Sequence, residues 1–300
     1  MKVSVRPTLV AQSLKALLVG RLCRAEARLV ELVGVSNFLA VKTVASRERA
    51  AGRLIVDYES VATLEELCSD VGVAFRRAPF GFSEKADLIP GTHHQGSFIS
   101  LPAPGSRAVV YFGVTAACAE GAEIAEILGN HALLGELLGY PPCCTKFFVT
   151  QDRGGSDLLP LSISDIGPYP REMNPLLHFV LGYPQLLFHF PCSPRCGRSR
   201  ELRAERSLLL ERAIGSAWES PDLGRGIAIY GPESGVALIT RHRRLGESVW
   251  AIDEVVTMRD QTASLLADDD SATLRIDSVN RFAIGRHAFT APHQFVALFE

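Results

Sequence analysis

No stretch of this chain approaches the about 18 uninterrupted apolar residues that mark a membrane-spanning helix, so a span is not expected. The net charge is only −2, which gives no general case for nucleic acid, whose binding needs a concentrated basic face. There is no G-x-G-x-x-G, Walker loop, G-x-S-x-G elbow or H-E-x-x-H, so the usual nucleotide, hydrolase and metalloprotease signatures are missing. A C-x3-C-x2-C run is also absent, which argues against a conventional radical-SAM enzyme. The first thirty residues lack an export signal. Lys2 and Arg6 precede apolar residues, but Gln12, Ser13 and Lys15 break the run, and Arg21 and Arg24 follow without a small-residue cleavage site. An amphipathic helix of the mature protein fits better, and a cytoplasmic location is expected.

The chain does have the material for a core. Its 300 residues are 47% hydrophobic and 21% charged, enough for one large domain or two ordinary ones without staples. It contains 7 cysteines, an odd number, and with no export signal a disulfide framework is not expected. Cys23, Cys68 and Cys118 each stand alone in mostly apolar surroundings and read as small buried hydrophobes. The other four, Cys143, Cys144, Cys192 and Cys196, fall in two short stretches framed by proline.

Periodicity predicts an α+β fold. Residues 8–31 carry apolar positions at helical spacing, and 38–44 and 54–58 read as strands. A helix is predicted from Thr63 to about Gly72, then strands over 73–80 and 108–114. Between those strands, the polar loop 90–104 contains His93 and His94. From Ala119 to Gln151 the pattern is helical, interrupted at Gly139, with Pro141-Pro142 able to open a fresh helix. Pro175 to Phe188 reads as a buried helix broken at Gly182, and 194–215 as a polar helix with a leucine stripe. After Pro221, short β-like runs alternate with turn residues. These patterns divide the chain into an N-terminal α/β region (1–115), a helical region carrying the cysteines (116–220) and a β-rich C-terminal domain (221–300). Leu138-Gly-Tyr-Pro141 is echoed by Leu181-Gly-Tyr-Pro184, too briefly to make a repeat.

The first cysteine stretch is Gly139-Tyr-Pro-Pro-Cys143-Cys144-Thr-Lys-Phe-Phe148. If the prolines open a helix, both thiols sit in its first turn, where free N–H groups and the helix dipole favour thiolate. Adjacent side chains point different ways, so one cysteine is expected to ligate and the other to support it or act as nucleophile. The second stretch is His189-Phe-Pro-Cys192-Ser-Pro-Arg-Cys196, whose C-x3-C spacing puts both sulfurs on one helix face if the pair is helical. Three cysteines with His189 suit tetrahedral zinc, and three cysteines with one open iron suit a [4Fe–4S] cluster. Cys143, Cys144, His189, Cys192 and Cys196 are therefore the candidate ligands, with a purely structural zinc and a thiol–disulfide pair as competing explanations.

Gly139-Tyr-Pro-x-Cys-Cys followed by an aromatic pair, then His189-x-Pro-Cys-Ser-x-x-Cys and a helix carrying Ser199, resembles an archaeal and bacterial family of unknown function that is defined mainly by this pair of motifs. The likeness spans residues 138–206. It implies that the cysteines belong to one site, and it supplies no substrate.

Arg195, Arg198, Arg200, Arg203 and Arg206 crowd the following segment. They read either as a solvated helix face paired with Glu201, Glu205 and Glu211, or as an anion pocket, for which Arg198 is the choice. Asn174 suits a helix cap or a substrate contact, and His178 a satisfied core position. His93 and His94 are candidates for completing a metal site or for acid–base work.

The leading expectation is a metal- or iron–sulfur-dependent enzyme acting on a small anionic substrate by sulfur transfer, lyase chemistry or oxidation. Cys144, His189 and Arg198 would be its catalytic groups, and Arg198, Asn174, His93 and His94 its substrate contacts. The alternatives are a scaffold with a structural zinc held by three cysteines and one histidine, with the arginine helix as its RNA contact, and a thiol–disulfide redox protein.

Overall fold

The computed structural model describes every residue except 1, 6–8, 85–95, 100–104, 152–157, 216–217, 219–223, 232–233, 258–272 and 292–293. The chain begins with β1 (Lys2–Val5), α1 (Leu9–Val19), α2 (Arg24–Ala45), β2 (Ala51–Asp57), α3 (Val61–Asp70), β3 (Ala74–Glu84), β4 (Gly96–Ile99) and β5 (Arg107–Gly113). The helical middle holds α4 (Ala116–Ile127), α5 (His131–Leu137), α6 (Pro142–Gln151), α7 (Leu158–Ser162), α8 (Leu176–Leu181) and α9 (Gly197–Ile214). Strands β6 (Gly226–Gly231), β7 (Gly235–Arg244), β8 (Val249–Thr257), β9 (Thr273–Ser278), β10 (Arg281–Ile284), β11 (His287–Thr290) and β12 (Phe295–Phe299) complete an α+β fold. No helix among the described residues is long and apolar enough to cross a membrane.

Strands β2–β5 form an antiparallel sheet in the order β2-β5-β3-β4. The central strand β5 reads Arg-Ala-Val-Val-Tyr-Phe-Gly because both of its faces are buried. Ala108, Val110 and Phe112 join Leu64 of α3 and Phe38, Leu39 and Val41 of α2 on one side. Val109 and Tyr111 join Ala119 and Ala122 of α4 on the other.

Phe38–Val44, expected as a strand, is the second half of α2. A short apolar run looks the same in a buried helix and in a buried strand, and tertiary packing decides between them. The single helix expected over 8–31 is two, α1 and α2, and Gly34 at φ 78° kinks the second.

The C-terminal sheet has the order β11-β10-β9-β8-β7-β6-β12, and β1 pairs with β8 in parallel. Along β6 the residues alternate between two cores. Ile227 and Ile229 meet apolar residues from β7 to β12. Ala228 and Tyr230 meet Leu159 of α7 and Leu176 and Val180 of α8. Burying side chains of this size contributes about 1.5–3 kcal/mol each, and this second face anchors the helices that lead to the cysteines.

The echoed Leu-Gly-Tyr-Pro segments have a common local cause. Gly139 follows α5 at φ 69° and Gly182 follows α8 at φ 67°, left-handed positions that favour glycine. The next tyrosine N–H turns back to the ending helix in both cases, Tyr140 to Gly135 O at 2.8 Å and Tyr183 to Leu177 O at 3.2 Å. Helix α8 therefore stops at Leu181, earlier than the expected Phe188, and the chain runs without a helix from 182 to 196.

Candidate metal centre

Each cysteine stretch follows one of these helix stops and leads into a new helix. Pro142 occupies the first position of α6, where its missing N–H costs nothing. The N–H groups of Cys144 and Thr145 both reach Pro141 O, each at 2.9 Å, and close the first turn. A Cβ on Gly135 would come within 2.7 Å of Thr145 Cγ2, so α5 can approach α6 closely only with glycine there. In the second stretch, Cys196 N–H bonds Ser193 O at 3.0 Å, and Cys196 is the N-cap of α9.

Two helix N-termini thus converge, and the sulfurs meet between them. Cys143 Sγ lies 3.6 Å from Cys196 Sγ, Cys144 Sγ lies 3.7 Å from Cys196 Sγ, and the vicinal pair is 3.9 Å apart. All four sulfurs, Cys192 included, fall within 4.8 Å of one another and form a group able to hold a metal ion. Cys144 and Cys196 are buried, Cys192 is half-buried and Cys143 is exposed.

Although neighbouring backbone vectors diverge, the sulfurs of both vicinal cysteines lie in this group, 3.9 Å apart. One expectation is corrected here. Cys192 and Cys196 do not share a helix face, since Cys192 precedes α9 and a turn brings the two sulfurs together.

His189 stands behind the sulfurs and outside the metal-ligating group. Its Nε2 is 2.9 Å from Ser199 Oγ, and Ser199 Oγ is 3.2 Å from Cys144 Sγ. Ser199 is fully buried. A proton on Nε2 lets His189 donate to Ser199, which leaves the hydroxyl proton for sulfur. That tautomer leaves Nδ1, buried without a partner, as a bare lone pair instead of a stranded donor. Burial, aided by the charge of Arg206, pushes the His189 imidazole down to about 3, so it is neutral at ordinary pH.

The thiols differ from one another. Burial raises Cys144 well above the usual thiol range, although Ser199 and the Cys192 N–H, 3.4 Å away, oppose the rise. Cys192 is pushed up to about 11 by burial and by the neighbouring Cys196 charge. Burial also raises Cys196, but hydrogen bonds from the Ser199 hydroxyl and N–H, Cys143 and Cys144 outweigh it and bring the thiol to about 7.

The remaining candidates lie elsewhere. Arg198 is 75% exposed and pairs with Glu201 at 2.7 Å, which is the solvated-face arrangement. Arg195 pairs with Asp165 at 2.8 Å and lies over the Tyr169 ring, and Arg200 pairs with Glu172 at 2.9 Å. Asn174 is buried and its amide is engaged by the chain. Its Oδ1 accepts from Leu176 N–H at 3.0 Å and its Nδ2 donates to Gly224 O at 2.8 Å. His178 Nδ1 is satisfied by Tyr183 O at 2.8 Å. His93 and His94 lie outside the described residues.

Sequence reasoning gave Ser199 no role and overlooked Arg49 and Tyr140. The inward side of α9 was readable as Ser199, Arg203, Arg206, Leu210 and Ile214 at helical spacing, all buried. Arg49 carries no local signal of this kind, because only the folded chain brings it to the site. Comparison with family models, with curated proteins and with solved structures finds no match.

Proposed function

We propose that the protein binds one divalent metal ion, zinc, through Cys143, Cys144, Cys192 and Cys196, and that the ion ties the start of α6 to the start of α9. The observation that carries this reading is the sulfur spacing. Four sulfurs about 2.3 Å from one zinc lie about 3.8 Å apart along the edges of the tetrahedron; those of Cys143, Cys144 and Cys196 are 3.6, 3.7 and 3.9 Å apart, and Cys192 completes a group within 4.8 Å. A four-iron cluster binds each sulfur to a different iron and needs them farther apart. A thiol–disulfide centre needs only two of the four.

Four thiolates and a divalent ion sum to two negative charges. The helix N-termini of α6 and α9 offset part of that charge, and the Ser199 hydroxyl and Cys192 N–H point hydrogen bonds at Cys144. His189 orients Ser199, as a polar group behind a ligand commonly does. The centre closes on itself without any outside ligand, which is the pattern of structural zinc.

A second reading keeps an enzyme in play, and the exposure of Cys143 favours it. An anionic substrate that displaces this one solvent-facing corner gains access to a Lewis acid, while three less exposed sulfurs keep hold of the ion. Nucleic acid is not the partner this surface suggests, because Arg195, Arg198 and Arg200 are neutralised by acids and Arg203 and Arg206 are buried.

Metal analysis of protein prepared without oxygen or chelator tests the proposal. The expected result is one zinc per chain and no visible colour. A brown chromophore with about four irons would replace zinc by a cluster, and metal-free protein with unaltered stability would remove the metal altogether.

A further inference from the structure

Behind the cysteines the structure buries two guanidinium groups that no carboxylate pairs among the described residues. Arg49 is 7% exposed and Arg206 is 3% exposed, and both lie over the ring of Phe188, 4.9 and 4.6 Å from its centroid. Each makes one hydrogen bond, to a backbone carbonyl: Arg49 Nη2 to Ala40 O at 2.6 Å and Arg206 Nη1 to Leu186 O at 2.7 Å. A guanidinium has five N–H donors, so most are unspent among the described residues, and Arg49 Nε is buried with no hydrogen-bond partner among them. Glu48, exposed at the surface, acts on both only through space.

The chain makes room for this arrangement. A Cβ on Gly139 would lie 2.9 Å from Arg49 Cβ, and one on Gly52 would lie 3.1 Å from Arg49 Nη2. Tyr140 follows Gly139 directly, and its hydroxyl makes no hydrogen bond among the described residues, yet it feels the charges of Arg49, Arg53 and Arg206. Arg53 is already committed to Glu126 at 2.7 Å. The Tyr140 ring packs on His189, 5.2 Å between centroids, and His189 leads through Ser199 to Cys144.

Burial lowers Arg49 to about 9, with help from the charge of Arg206, and lowers Arg206 to about 10, so both remain cations at neutral pH. Unpaired buried charges are among the most costly features a fold can carry. Two of them on one aromatic ring, with spare forked donors and a phenolic hydroxyl that feels both charges, are the donor chemistry that recognises an oxyanion.

We propose that Arg49, Arg206 and the Tyr140 hydroxyl form a binding site for one small oxyanion, a carboxylate or phosphate group, joined to the sulfurs by the Tyr140–His189 ring contact and the two hydrogen bonds His189–Ser199 and Ser199–Cys144. The site goes beyond the metal reading and stands without it, since the arginines lack a counter-charge whether or not an ion is held. It assigns the anionic recognition expected of Arg198 to two arginines buried behind the centre.

Equilibrium dialysis of the full chain against inorganic phosphate and, separately, acetate, in chloride buffers of equal ionic strength, tests this. The expected result is saturable binding of one anion per chain, the tighter of the two naming the group. Arg206→Met should weaken it by about tenfold or more, as loss of a charge-assisted forked bond does. Tyr140→Phe keeps the ring and its packing, so it reports on the hydroxyl even if the arginine variant fails to fold, and it should weaken binding several-fold. Arg198→Ala should leave it unchanged. No saturable binding, or equal affinity in Tyr140→Phe and the unaltered chain, overturns the proposal. Metal content measured on the same samples separates the two readings: anion binding that persists in metal-free protein leaves this one standing alone.

Discussion

The C-terminal sheet and the junction that holds the cysteines are both buried, but they bury different things. Within β6–β12 and its turns the buried polar residues among the described ones are Ser234, Thr257 and Gln294, none of them charged. Around the centre the chain buries Arg49, Ser199, Arg203 and Arg206 together with the thiols of Cys144 and Cys196. Apolar burial in the sheet follows the ordinary gain of removing hydrocarbon from water. Burial in the junction runs against that gain, since each polar group must find a partner or cost stability. The sheet and its helices are a support, and the junction is where the fold holds costly buried polar groups beside the cysteines.

Removing sulfur from the junction should break this contrast most strongly. Cys144→Ala or Cys196→Ala is expected to abolish metal retention and to lower the thermal midpoint more than any other single change described here. Cys68→Ala is the matched control. Cys68 is fully buried and burial pushes its thiol up to about 12, so it behaves as a small hydrophobe. Its loss should leave metal content untouched, as elemental analysis and calorimetry on the same samples can show.

Next in size is damage to the support alone. Ile229→Ala opens a space in a fully buried strand and should cost about 2–5 kcal/mol in guanidinium unfolding. Metal stoichiometry should stay the same, and its loss would mean that the two regions are not separable in this way.

A third prediction concerns pH in zinc-stripped protein. An unfolded His189 takes up its proton near 6.5, whereas the folded one does so only at about 3. The unfolded state therefore binds more protons between those values, and stability falls as pH drops through that window. The contribution is at most ~1.4 kcal/mol per pH unit. His189→Gln should flatten this part of the profile, and an unchanged slope would place the imidazole in water.

Smaller still is the support given by Ser199. Ser199→Ala removes one hydrogen bond to sulfur and should weaken metal retention about tenfold in chelator competition, the lower end of such effects. Smallest is Arg198→Ala, an exposed ion pair whose loss should stay within about 0.5 kcal/mol with no change in metal. A large effect there would return Arg198 to the site.

Much of the junction was legible because its signals are local. Proline marks the starts of both cysteine stretches, glycine marks the helix stops before them, and four cysteines in two short segments stand out against three isolated ones. The β runs after Pro221 were legible for the same reason. What the sequence concealed depends on distance or on packing. Residues 38–44 have no local reason to prefer a helix over a strand. Strand β1 pairs with β8 some 250 residues on, as Lys2 against Glu254 shows. His189 looked like a ligand from its spacing to Cys192, but only the fold shows that Ser199 stands between it and the sulfurs. Arg49 shares no element with the cysteines and reaches Phe188 through the packing of α2 and β2.

X-ray absorption at the metal edge of the purified protein tests the central claim most directly, because it counts the ligands and measures their bonds. The account predicts four sulfurs at about 2.3 Å around a single zinc, with no metal–metal scattering. Three sulfurs with a nitrogen neighbour, or a metal–metal distance in the spectrum, would contradict it.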